Sequence, residues 1–163
     1  MTEEQSQDDL IYHSTVFDEI VIYTEPIGAP RPRAVVRGGF TRMYNPSKYT
    51  HWKSEFAFNL KRQWKKPTIS TGYVTLKIKA VFKRPKNLMR KKDFKGRLPH
   101  VKKPDIDNVS KAILDAMVQA KIIIDDTIIQ GLHIQKFVAS LPEYKQPERS
   151  CIIIEIRHHE VLQ

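Results

Sequence analysis

KPDIDNVSKAILDAMVQAKIIIDD, residues 103–126, is the stretch from which the rest of the chain can be read. Val109, Ala112, Ile113, Ala116, Met117 and Ala120 recur at the spacing of one apolar stripe on a helix. Asp107, Lys111 and Asp115 step by four along the opposite side. Asp105 and Asp107 flank a single residue just ahead of that helix, so extended backbone would send both carboxylates the same way. Pro104 suits this position because it favours an extended Lys103 before it. Either Asp107 or Asn108 could cap the helix by accepting a backbone N–H. At the far end, Ile122, Ile123 and Ile124 lead into Asp125 and Asp126, read as a turn or bulge between apolar runs. If helix and following strand are antiparallel neighbours, this second acidic pair returns to the level of the first.

Working outward, Ile128 to Val138 resumes as strand, Pro142 to Pro147 reads as loop, and Cys151 to Ile156 reads as a closing strand. Upstream, Tyr73 to Phe82 alternates, with Val74, Leu76, Ile78, Ala80 and Phe82 on one face and lysines among the other, the pattern of a half-buried strand. Pro46 opens a second helix, with Trp52, Phe56 and Leu60 one turn apart and an end near Trp64. Ile20 to Tyr23 reads as a short strand. Proline and glycine between Gly28 and Gly39 read as an arginine-bearing loop, and Lys83 to Lys103 as a long basic loop. The sum is an α+β fold in one domain: a mixed sheet of about four strands with two main helices. A polar tail over residues 1–15 precedes the domain at 16–163, with no repeat and no linker.

Twenty-eight Lys and Arg stand against 18 Asp and Glu in 163 residues, a net charge of +10. A surplus of that size favours a polyanionic partner, nucleic acid above all. Cys151 is the only cysteine, which excludes an intrachain disulfide, and its apolar run predicts a buried thiol. No run approaches the roughly 18 apolar residues of a membrane span, and the acidic start is unlike a secretory signal. A cytoplasmic, nucleoid-associated protein is expected.

Carboxylates repel a polyanion unless a divalent cation lies between them. Two or three of them, with waters, form an ordinary shell for Mg²⁺, which can bind a phosphate oxygen and lower the pKa of an attacking water. A lysine one turn away could complement charge on the phosphorane or orient the water. The residues therefore suggest a metal-dependent enzyme acting on nucleic-acid phosphates. Each acid also has an ordinary structural reading: a helix cap, an i, i+4 ion-pair ladder through Asp107, Lys111 and Asp115, or an Asp-Asp turn. On residues alone both readings stand.

The run from Pro104 to Ala116, D-x-D-N-x-x-K-A-x-x-D-A, followed by Asp125-Asp126, closely resembles the RusA family of Holliday-junction resolvases. A looser likeness extends to Pro30-Arg31-Pro32-Arg33. The resemblance implies a homodimeric, Mg²⁺-dependent endonuclease, with Mn²⁺ a possible substitute, that nicks four-way DNA junctions symmetrically in recombination and repair. By motif position, Asp105, Asp107 and Asp126 match the catalytic, metal-holding carboxylates, and Lys111 the essential lysine. Asp125 matches a family aspartate that would support them from behind, and Asp115 a charge on the helix face. The basic segment between Lys83 and Lys103 and the acidic tail look longer than in compact members, which bears on dimer geometry and DNA path.

Expected DNA contacts are Lys102 and Lys103 beside the acids, Arg31, Arg33 and Arg37 on the first loop, and Arg84, Lys91 and Lys92 on the second; solvated loop charge is the plain alternative. Phe94 could wedge into a junction centre, though an aromatic packing its loop down is the expectation. His158 and His159 are read as a polar strand end rather than metal ligands. Two rival readings are a nuclease of broader flap or fork choice, and a branched-DNA-binding protein without catalysis.

Overall fold

Alternating strands and a striped helix assemble in the computed structural model, which describes residues 12–142 and 146–161. In chain order the elements are β1 (Tyr12–Ile22), β2 (Arg33–Arg37), β3 (Phe40–Tyr44), α1 (Ser47–Gln63), β4 (Tyr73–Phe82), β5 (Leu98–Pro99), α2 (Ile106–Gln119), β6 (Ile129–Val138) and β7 (Cys151–Val161). Five strands form one mixed sheet in the order β1-β7-β4-β6-β5, and β2-β3 form a separate ribbon. Only β4 and β6 pair in parallel within the large sheet, and α2 lies on the connection between them. That is an α+β domain.

The stripe on α2 does what its spacing demands. Val109, Ala112, Ile113, Ala116 and Met117 are buried, most of them against Val74, Ile78, Ile152 and Ile154 of the sheet and Phe56 and Leu60 of α1. Full burial of each larger side chain contributes roughly 1.5–3 kcal/mol. The helix ends at Lys121, whose φ is 56°, with the Ile122 N–H donating to Met117 and the Lys121 N–H to Val118. Ile122 and Ile123 are then buried, and a single parallel bridge joins Ile123 to Ile69, fixing where Asp125 and Asp126 emerge.

Four expectations change. The first arginine-bearing segment is not all loop: Gly38 and Gly39, at φ 57° and 80°, close a two-residue turn between β2 and β3. Positive φ at both turn positions matches strand twist, so the flanking β-formers pair. Residues Lys83 to Lys103 are pinned rather than loose. Arg84, 1% exposed, donates to the carbonyls of Leu88, Phe94, Gly96 and Ala139, while Arg97 pairs with Glu148. Glu148 is thereby held down at about 2, by Arg97 against its own desolvation and then by Ser140. The last strand runs on to Val161 because Arg157 to His159 are flanked by both β1 and β4, which complete its ladder. The strand expected at Ile20 is the end of a longer one from Tyr12. Residues 1–11 of the expected tail lie outside the described residues. Among the described residues no helix is long and apolar enough to cross a membrane.

Candidate active site

Asp105 occupies the N-cap position of α2 with extended backbone, φ −67° and ψ 152°, yet its side chain makes no capping hydrogen bond. Asp107 falls in the first turn, so neither it nor Asn108 is the cap. Both acids are exposed, as is Lys111 one turn on. The ion-pair ladder is absent: among the described residues neither Asp107 nor Lys111 has an ion-pair partner. Asp115 instead turns inward and accepts a hydrogen bond from the Tyr49 hydroxyl at 3.1 Å. Burial, and then the Asp115 charge, raise the Tyr49 phenol well above its ordinary range, so it stays protonated as the donor. Asp115 belongs to the packing of α1 on α2.

The second pair sits at a short turn, Asp126–Ile128, that packs against α2. Asp125 accepts the Thr127 N–H at 2.9 Å, and that bond lowers its carboxyl. Asp125 is thus the member of the pair tied into the turn, and Asp126 beside it is also exposed. Among the described residues no three His, Cys, Asp or Glu side chains converge closely enough to hold a metal ion. Asp105 and Asp107 stand at the start of α2, while Asp126 lies on the turn that leads into β6. Their donor chemistry nonetheless fits Mg²⁺, which keeps several waters and commonly takes only one or two carboxylates plus substrate phosphate.

Three contacts that sequence did not reveal hold the acidic segment. The Lys136 ammonium donates to the carbonyls of Lys102 at 2.8 Å and Pro104 at 2.6 Å, clamping β6 to the residues before Asp105. The Ala29 N–H donates to the Asn108 carbonyl at 2.8 Å, pinning the Pro/Arg segment on the first turn of α2. Gly28 lies so close that a Cβ there would stand 2.7 Å from Pro104 Cβ. Lys136 had one sequence signal: it pairs with Ala80 in register between Ile134 and Val138, where alternation calls for an apolar side chain.

Lys102, Lys103, Arg31, Arg33, Arg37, Lys91 and Lys92 are all exposed. Arg84 is not available to DNA, because its guanidinium is buried and spent on four carbonyls; this corrects the reading of it as a phosphate contact. Phe94 lays its ring over Gly96 of its own loop, as expected, but stays 65% exposed there. His159 shares hydrogen bonds with Thr15 and Thr75 and stacks on Tyr73, while His158 meets the Thr71 carbonyl, consistent with a polar strand end.

Against known proteins, residues 24–145 match the family described as Endodeoxyribonuclease RusA. A Bacillus subtilis (strain 168) protein, described as Uncharacterized protein YqaN, is 32% identical over 129 residues, covering 76% of this chain and 89% of that protein. The Crossover junction endodeoxyribonuclease RusA of Aquifex aeolicus (strain VF5) is 24% identical over 140 residues, covering 86% of this chain and 92% of its own.

Proposed function

The chain belongs to the RusA endodeoxyribonuclease family, and from that membership we propose that it resolves four-way DNA junctions by paired, symmetric nicks. The observation that carries the proposal is that Asp105, Asp107 and Lys111 are exposed without a cap bond or ion pair among the described residues. Groups with no structural duty, gathered at one helix start in a basic protein, are available for chemistry.

In this reading Asp105, Asp107 and Asp126 hold Mg²⁺, with Mn²⁺ able to replace it. When bound, the ion supplies a water of lowered pKa and charge stabilisation at the phosphate. Lys111 places an ammonium about one turn from the carboxylates, where it balances negative charge building on the phosphate oxygens. Lys102 and Lys103 draw the strand toward the acids through phosphate contacts that carry no sequence information. Lys136 and Asn108 keep the acidic segment in place. Cleavage leaves 5′-phosphate and 3′-hydroxyl ends. A homodimer sets one site on each of two opposed strands, as a two-fold junction requires, and the enzyme acts in the cytoplasm.

Asp107→Asn tests the assignment. It should abolish nicking of a labelled four-way junction while leaving junction affinity in place, and Lys111→Met should slow nicking on the order of a hundredfold or more. Full activity in Asp107→Asn would remove the site.

A further inference from the structure

The β2-β3 ribbon stands apart from the main sheet, and every residue from Arg31 to Asn45 is exposed. A lone two-stranded hairpin is marginal in water, so a ribbon of this kind is completed by what it binds. Its register pairs Arg33 with Tyr44, Val35 with Arg42 and Arg37 with Phe40. Residues directly opposite in an antiparallel pair share a face. One face is therefore a checkerboard in which each arginine sits across from an apolar or aromatic side chain, and a shallow groove is lined by that face. Phe40 is 82% exposed at the tip. No carboxylate occurs between Glu25 and Glu55.

Both legs of the ribbon are rooted on the helix that carries the acids. The incoming leg is fixed by Ala29 to Asn108, and the outgoing leg leads into α1, where Tyr49 is bonded to Asp115. The ribbon thus rises from beside Asp105 and Asp107. We infer that its Arg/aromatic face binds unpaired nucleotides at the branch point, with Phe40 and Tyr44 stacking on bases and Arg33, Arg37 and Arg42 holding phosphates. This rests on the functional reading above and deepens it, by naming what would separate branched DNA from duplex.

Chemistry selects this occupant. Aromatic rings stack on bases whose faces are open, and a paired duplex offers only edges and phosphates. With the ribbon's arginines on phosphates and its rings stacked on base faces, which every base presents, this binding is tolerant of sequence.

The test uses the full chain without divalent metal, so that nothing is cut. Anisotropy with a four-way junction and with a duplex of equal length gives affinities, and 2-aminopurine at the branch nucleotide reports stacking. Phe40→Ala and Tyr44→Ala should each weaken junction binding about tenfold, reduce quenching of the 2-aminopurine, and leave duplex binding unchanged. Arg37→Ala should weaken both DNA forms and lower the salt slope by about one. Unchanged junction affinity and quenching in both aromatic variants would overturn the inference, as would equal losses on junction and duplex. So would Phe40→Ala splitting a wild-type dimer in sedimentation, which would assign the face to a second copy. A wild type that binds no branched DNA would instead overturn the functional reading, and this inference with it.

Discussion

Arg84 and Asp107 show how differently two charged residues can be used in one chain. Arg84 lies in a basic run and looks like a phosphate ligand, yet it is buried with its donors on the carbonyls of Leu88, Phe94, Gly96 and Ala139. Replacing it with alanine strands those carbonyls, so Arg84→Ala should destabilise the protein by about 3 kcal/mol in urea unfolding. A change under about 0.5 kcal/mol, the size expected of an exposed surface residue, would mean the staple is not formed. Asp107 is the reverse case, a charge that the fold leaves idle. The acids were legible because a spacing of carboxylates and one lysine is itself the chemical pattern. Arg84 was not, because burial of a guanidinium depends on carbonyls from three separate stretches that converge only in the folded chain. Lys136 was half legible: its inward position breaks the alternation of β6, but the carbonyls it grips are some thirty residues away.

Among the elements, α2 was the most legible, since a stripe of six apolar residues at helical spacing leaves few other solutions. Its end was not, because Lys121 takes the left-handed conformation in which glycine is usual. An L-residue there costs on the order of 1–2 kcal/mol. Lys121→Gly should therefore raise the unfolding free energy by up to about 1 kcal/mol, the greater freedom of glycine in the unfolded chain offsetting part of the gain. Loss of stability in that variant would contradict the Lys121 geometry. The β2-β3 ribbon was hidden for a different reason. Proline and glycine between Gly28 and Gly39 set the expectation of loop, while the decisive signal was the two-glycine turn between runs of β-forming residues. The same oversight concealed Arg42, Phe40 and Tyr44 as a face, because a face exists only once the register is known.

At the scale of the whole molecule, the parallel pairing of β4 and β6 places α2 across the sheet, with its N-terminal acids exposed beside the basic segment at Lys102 and Lys103. Net charge of +10 favours a polyanionic partner, and in the proposed reading the carboxylates are the local exception that a cation would neutralise. Membership of the RusA family agrees with that layout over residues 24–145. The sheet class could be read in advance from the alternation of β4 and the apolar run of β7, whereas the strand order could not, because it depends on which edges meet. In the proposed reading this site cuts branched DNA with a divalent ion. The most direct measurement is cleavage of a labelled four-way junction by the wild-type protein, against flap and linear duplex of the same sequence, in Mg²⁺ and in EDTA. Paired nicks at symmetric positions on the junction are expected, with little cutting of flap or duplex and none in EDTA. Equal cutting of flap and junction would contradict junction selectivity, and tight junction binding with no cutting in Mg²⁺ or Mn²⁺ would contradict the catalytic assignment of Asp105, Asp107, Lys111 and Asp126.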